Sequence, residues 1–299
     1  MGIGEIGELL RRSTVHIRST NRRRASAGSG VIWDSSGTII TNAHVLGPGA
    51  HAPGEHEVEL WDGRSLPAEV RAQDDQRDLA RLHLATAGLQ AANFRTAAMK
   101  PGELVVAVGN PLGFTGALTT GVVHATGPVA GMGRRAWVQA AIRLAPGNSG
   151  GPLADATGQV AGINTMIVTG GIALAVPSAT VEEFIRRGAG PRIGVTIQPV
   201  PLNRRGHLGL LILSVEPGTP AEQASLMLGD ILVGTPEGRF RSPADLPDAI
   251  AEADAIAEVN QEVAREPTGR LTLRFLRGDR SREREVVLAL AGRPKREAA

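Results

Sequence analysis

Residues 28–46 read GSGVIWDSSGTIITNAHVL. Small and apolar residues run to Trp33, four turn formers follow at Asp34–Gly37, and a second apolar run resumes at Thr38. Two short strands around such a turn make a β-hairpin. The second strand ends on Thr-Asn-Ala-His, which leaves His44 directly after a strand end. The same scheme recurs on both sides. TVHIRS precedes it, and HEVELWDGRSLPAEVRAQ turns at Asp62-Gly63. DLARLHLA, ELVVAVGN, GALTTGVVHATG, AWVQAAIRL, GQVAGINTMIV and GGIALAVP follow. Short strands separated by Gly, Asp and Pro turns over about 160 residues predict a mainly β barrel or sandwich architecture.

Composition supports this. The chain has 299 residues, 42% of them hydrophobic, which predicts two domains with sizeable cores. Glycine is abundant at 38 residues and aromatics are scarce at 3%. The formal net charge of +2 leaves no footprint for nucleic acid, and Arg22–Arg24 reads as a solvated loop tip. Without cysteine, disulfides, thiolate metal sites and Cys nucleophiles are excluded. No apolar run reaches the roughly 18–20 residues of a membrane span.

Residues 5–12 have the pattern of a short amphipathic helix carrying Ile6, Leu9 and Leu10 on one side. SATVEEFIRRG reads as another, with Ser178 as cap and Arg186 and Arg187 at its C-terminal end. GAGP, residues 188–191, is the expected linker. Beyond it, RIGVTIQPV, GLLILSV and GDILVG read as strands. TPAEQASL carries a capping-box pattern of Thr219 and Glu222, with Pro220 at the first helical position. SPADLPDAIAEADAIAEVNQEVA is a long helix whose start is expected at Pro247. A hairpin turns at Gly278-Asp279. The expected division is 1–188, 191–293 and a tail, 294–299.

Three stretches carry chemistry. LAPGNSGGPL, residues 144–153, is a turn that presents Ser149. Gly147 can adopt a backbone geometry closed to other residues, so its N–H and that of Ser149 can converge on one spot as an oxyanion hole. Gly150 and Gly151 would keep the approach to the serine open. Taken alone, the stretch reads as a hairpin turn before it reads as catalytic. TNAHV offers His44 as a base, and QDDQRDLARL offers Asp78 at a strand entrance, where a half-buried carboxylate can orient a histidine. Asp74 and Asp75 fall in the preceding turn. The chain order His, Asp, Ser is that of chymotrypsin-type enzymes. The G-x-S-x-G elbow of α/β-hydrolases is absent.

GSGVI, TNAHV, DLARL, GNPLGF, TTGVV, PGNSGGPL and GIALAVP, in this order, resemble the HtrA/Deg serine proteases over roughly residues 5–293. The resemblance implies a chymotrypsin-like double β-barrel protease domain followed by an α+β PDZ domain. It implies His44 as general base, Asp78 as its orienter, Ser149 as nucleophile, and the N–H groups of Gly147 and Ser149 as oxyanion hole. The expected activity is a serine endopeptidase degrading unfolded or misfolded proteins, with no cofactor and no metal. Arg192, Ile193, Gly194 and Val195 resemble the loop that binds peptide C-termini in the family's PDZ domains, and a trimer is implied.

The chain also departs from the family pattern. It lacks an Asp several residues before the serine, and Arg143 and Leu144 stand where small or Ile residues are usual. Leu144, Ile172 and Leu174 would line the primary specificity pocket, predicting small or medium apolar residues at the cleaved position. A non-catalytic chaperone or peptide-binding module on a protease-derived fold is the alternative from another class. A serine esterase on the same barrel is a second. HAPGEHEVEL gathers His51, Glu55, His56 and Glu57 without metal-site spacing and reads as a solvated loop. Phe114 in GNPLGF is a candidate substrate contact or a packing residue. The family is mostly extracytoplasmic in bacteria. The N-terminus does not read as a signal peptide, so a cytoplasmic protein is expected if Met1 is the native start.

Overall fold

A computed structural model describes residues 2–21, 24–47, 56–110, 116–188, 190–202, 207–264, 269–278 and 282–290. Arg22, Arg23, His51, Glu55, Phe114, Asp279 and the expected tail lie outside them. The chain forms two compact units, Met1–Pro128 with Ala136–Ala189, and Val129–Arg135 with Gly190–Ala299.

The first unit opens on helix α1 (Ile3–Ser13), which buries Ile6 and Leu10. Strands β1 (Thr14–Asn21), β2 (Arg24–Ile32), β3 (Thr38–Thr41), β4 (His56–Glu59), β5 (Ser65–Asp74) and β6 (Leu79–Leu84) follow, with a single helical turn, α2 (Ala43–Leu46), after β3. They close into a barrel in the order β1-β2-β3-β6-β5-β4. Period two explains the closure. Along β6, Ala80, Leu82 and Leu84 enter the barrel core with Ile17, Ile39 and Val58, while Arg81 and His83 alternate outward. Each large aliphatic side chain so buried contributes about 1.5–3 kcal/mol. Gly30 is small by necessity, since a Cβ there would lie 2.8 Å from Ile17 and 2.9 Å from Ile39.

A second barrel takes β7 (Leu104–Gly109), β8 (Ala117–Pro128), β9 (Ala136–Ala141), β10 (Pro152–Asp155), β11 (Val160–Ile167) and β12 (Ile172–Pro177), in the order β10-β11-β12-β9-β8-β7. Val105, Ala107, Val138, Ala140, Ala173 and Ala175 fill it. The fold is mainly β, with two closed six-stranded barrels of the chymotrypsin-like type. Helix α3 (Ser178–Arg187) ends the unit at Gly188, whose φ of 78° suits a glycine C-cap. Ser178 is not its cap as expected. It is the first helical residue, and its hydroxyl donates to the carbonyl of Arg95 at 2.6 Å.

The second unit holds a further sheet in the order β13 (Val195–Pro201), β14 (Leu208–Val215), β15 (Ile231–Thr235), β17 (Gly269–Leu276) and β18 (Glu283–Leu290), with β16 (Gly238–Arg239) paired to β15. Helices α4 (Pro220–Gln223) and α5 (Asp245–Ala264) accompany it, and Leu246 and Ile250 of α5 join the core with Leu210, Ile212, Leu232 and Leu273. The capping box at α4 does not form. Thr219 turns its hydroxyl to the carbonyl of Glu216 at 2.6 Å, and Glu222 accepts the N–H of Gly218 at 2.7 Å instead. Helix α5 starts two residues before Pro247, because a proline in the first turn gives up no intrahelical bond. Among the described residues no helix is long and apolar enough to cross a membrane.

Candidate active site

His44 sits in the single turn α2, which the first barrel presents at the end of β3. Asp78 stands at the entrance to β6 with a left-handed φ of 53°, a conformation that aspartate tolerates better than most residues. Asn42 holds it by donating its side-chain amide to the Asp78 carbonyl at 2.9 Å. The carboxylate lies 3.0 and 2.9 Å from His44 Nδ1 and also accepts the main-chain N–H of His44 at 3.1 Å. A carboxylate only accepts, so Nδ1 carries the proton and Nε2 is left with its lone pair. The Asp78 side chain is 13% exposed and that of His44 49%, so the aspartate is the sheltered partner.

Ser149 follows β9 and precedes β10 in the second barrel. The Ser149 hydroxyl donates to the carbonyl of Thr165 at 3.0 Å, and no hydrogen bond joins it to His44. The hydroxyl of Thr165 in turn donates to Asp78 Oδ2. Thr165 therefore touches both ends of the predicted constellation, and the sequence reading missed it. Inside the apolar run GINTMI it looks like a β-branched strand former. No local signal in the sequence marks it, because folding alone brings Ser149 and Asp78 to it; in the structure a register shift between Asn164 and Met166 interrupts the pairing of β11 there.

The turn around the serine sorts its own N–H groups. Asn148 donates to the Ala145 carbonyl at 3.0 Å, Gly150 to Asn164 at 2.8 Å and Gly151 to Asn148 at 3.0 Å. Those of Gly147 and Ser149 have no acceptor among the described residues. Gly147 has a φ of 104°, closed to side-chain-bearing residues. Gly150 and Gly151 do not face open space as expected. A Cβ on Gly150 would lie 2.0 Å from the Ser29 carbonyl oxygen, and one on Gly151 would lie 2.6 Å from that of Val108. They are glycines because protein backbone fills the place of a side chain.

Leu144 is half-buried and packs on the second barrel's core, which includes Ala173 and Ala175. Ile172 and Leu174 alternate with those alanines along β12 and fall on its other face, Ile172 half-exposed and Leu174 buried. In the second unit, Ile193 is buried in the core. Its carbonyl accepts the N–H of Ala221 at 2.9 Å, and that of Gly194 accepts Glu216 at 2.9 Å. Gly194 has a φ of 78° and lies against Thr219, and Val195 opens the edge strand β13. Arg192 is exposed beside them. No cluster of His, Cys, Asp and Glu able to hold a metal occurs among the described residues.

Two six-stranded barrels with a histidine and aspartate from one and a serine from the other define the trypsin-like serine protease class. The Trypsin-like peptidase domain family matches residues 28–163. Serine protease HTRA2, mitochondrial, of Drosophila pseudoobscura pseudoobscura is 32% identical over 271 residues, covering 79% of this chain and 62% of its own length. Putative serine protease HhoA of Synechocystis is 36% identical over 248 residues, covering 72% of this chain and 62% of its own. The serine endoprotease from Yersinia pestis is similar in structure, with a TM-score of 0.61 at 25% identity over 98% of both chains. The HtrA-type protease AlgW with tripeptide shares the fold, with a TM-score of 0.60. The chain is thus similar to HtrA-type serine proteases in sequence and in fold, and its residues 28–163 match a trypsin-like peptidase domain. It spans 62% of the length of the curated relatives it matches.

Proposed function

We propose that the protein is a serine endopeptidase acting on unfolded polypeptides, with His44 as general base, Asp78 as its orienter and Ser149 as nucleophile. The observation that carries this reading is the pairing of an oriented His44 with a turn in which the N–H groups of Gly147 and Ser149 have no acceptor among the described residues. Asp78 fixes the tautomer that leaves Nε2 able to take a proton. The Ser149 hydroxyl turns from the Thr165 carbonyl toward Nε2 and attacks the substrate carbonyl, and the two free N–H groups receive the negative charge that develops on its oxygen. His44 then returns the proton to the leaving amine. An extended substrate would pair along the strand edge beside the cleft, where Met166 and Ile167 of β11 are exposed.

The finer assignments rest on the family. Leu144 would set a preference for small or medium apolar residues at the cleaved position; Ile172 and Leu174 lie on the other face of β12, and Leu174 is fully buried, so the three predicted residues do not line one pocket. The second unit would be a PDZ domain, with Arg192, Ile193, Gly194 and Val195 receiving a peptide C-terminus that adds a strand to β13. That β13 is an edge of its sheet supports this. The partners would be unfolded chains and copies of this chain in a trimer. A non-catalytic chaperone role draws on one observation, the Ser149 hydroxyl bonded to Thr165 and not to His44. Casein degradation by the wild type and by Ser149→Ala separates the two. Loss of hydrolysis in the variant is expected, and equal hydrolysis by both would overturn the assignment.

A further inference from the structure

Ser29 belongs to the first barrel, in mid-β2, and has no solvent exposure. It nonetheless makes four hydrogen bonds, two of them to the turn of the second barrel that carries Ser149. Its main-chain N–H donates to the Ser149 carbonyl at 2.8 Å, and its own carbonyl accepts the hydroxyl of Thr41 at 2.7 Å. Its hydroxyl oxygen lies 2.9 Å from the N–H of Asn110 and 2.7 Å from the carbonyl of Gly147. Donor and acceptor roles here follow by elimination. The N–H of Asn110 can only donate and the carbonyl of Gly147 can only accept, so the single hydroxyl proton of Ser29 points at Gly147.

We infer that Ser29 is a positioning residue that holds the oxyanion-binding turn in its receptive form, an inference that rests on the catalytic reading above. The two free donors are the N–H groups of Gly147 and Ser149. Between them lies the Gly147–Asn148 peptide unit. Its oxygen is held by the Ser29 hydroxyl and its N–H by the Ala145 carbonyl. The Ser149–Gly150 peptide unit follows, and its oxygen is held by the Ser29 N–H. Ser29 therefore fixes the carbonyls on either side of the Ser149 donor, one through its side chain and one through its main chain. Without the hydroxyl, the Gly147 carbonyl loses its partner in a buried site. Glycine's freedom then allows the turn to rotate that carbonyl elsewhere and carry the neighbouring donors off target.

The test uses the full-length protein, a peptide substrate and a peptide boronate, whose tetrahedral adduct places an oxygen at the oxyanion position. Ser29→Ala should lower kcat by about 10- to 100-fold with KM within about twofold, somewhat less than direct removal of an oxyanion donor. Boronate affinity should fall by the same factor, while affinity for a cleaved product peptide stays constant. A residue that merely packs the barrels would not separate these ligands. Should Ser29→Ala fail to fold, Ser29→Cys keeps the shape with a weaker donor and should show a smaller loss of the same kind. A folded variant with wild-type kcat and boronate affinity overturns the inference. Failure of the catalytic reading shows separately, as wild-type hydrolysis that does not depend on Ser149.

Discussion

Thr165 receives the hydroxyl proton of Ser149 on its carbonyl oxygen at 3.0 Å, and its own hydroxyl binds the Asp78 carboxylate. One strand residue thus holds both the proposed nucleophile and the carboxylate that would orient its base. Thr165→Val keeps the carbonyl and the shape but removes the bond to Asp78. A hydrogen bond to a charged group is worth about 1.5–3 kcal/mol. We expect kcat to fall about tenfold or more at constant KM, with Thr165→Ser close to wild type. Steady-state hydrolysis of a peptide substrate measures both.

Asp78→Asn should depress turnover by about 10⁴-fold, because an amide allows the histidine to adopt the wrong tautomer. The fold should survive, since asparagine also accepts the left-handed φ of 53° at this position. Turnover together with thermal denaturation checks the pair of expectations. An unaltered rate would move the role to Asp74 or Asp75.

Asp230 is buried in the second unit, and Arg277 binds it with Nε and Nη2, both at 2.7 Å. The hydrogen bond from Arg277 to this carboxylate raises the pKa of Arg277 above its ordinary value, so the guanidinium stays charged. Arg277→Ala leaves the carboxylate with the N–H of Met227 at 2.9 Å as its remaining donor. Because Arg277 is partly exposed, a loss of about 2–3 kcal/mol is expected, below the range for fully buried pairs. Asp230→Asn combined with Arg277→Ala should cost less than Arg277→Ala alone. Denaturant midpoints of the whole chain read this directly.

Asp155 gives a pH dependence. Burial works against its charged form. Hydrogen bonds from the side chain and N–H of Thr157, the N–H of Gln159 and Arg95 more than offset this and hold the carboxyl below the ordinary 3.8. A lowered folded value means that the stabilisation is complete above 3.8 and is lost as pH falls below it. The thermal midpoint should therefore drop on acidification below about pH 4, and Asp155→Asn should be the flatter of the two curves there. Parallel curves would remove Asp155 from the account.

The barrels were legible because their strands alternate and their turns carry Gly and Asp. The run from Leu79 to Leu84 shows this, with Ala80, Leu82 and Leu84 inside and Arg81 and His83 outside. His44, Asp78 and Ser149 stood out because their types and order are rare in combination, and His44 and Asp78 do meet. Partners chosen by tertiary structure were hidden. Ser178 and Thr219 have the right identity for caps, yet their hydroxyls find the carbonyls of Arg95 and Glu216 instead. Ser29 and Thr165 read as ordinary strand residues, because their roles depend on groups across the barrels. Gly150 and Gly151 were recognised as necessary but for the wrong neighbour.

The floor beneath Ser149 is backbone pressed on backbone. A Cβ would lie 2.0 Å from the Ser29 carbonyl oxygen at Gly150 and 2.6 Å from the Val108 carbonyl oxygen at Gly151. Gly150 and Gly151 admit no larger residue, so single substitutions at those two positions are closed off. Diversification is left to the rim, where Leu144, Met166, Ile167 and Ile172 retain some exposure. On the proposed reading, substitutions at the rim would change what is cut while the turn that holds Ser149 keeps its geometry.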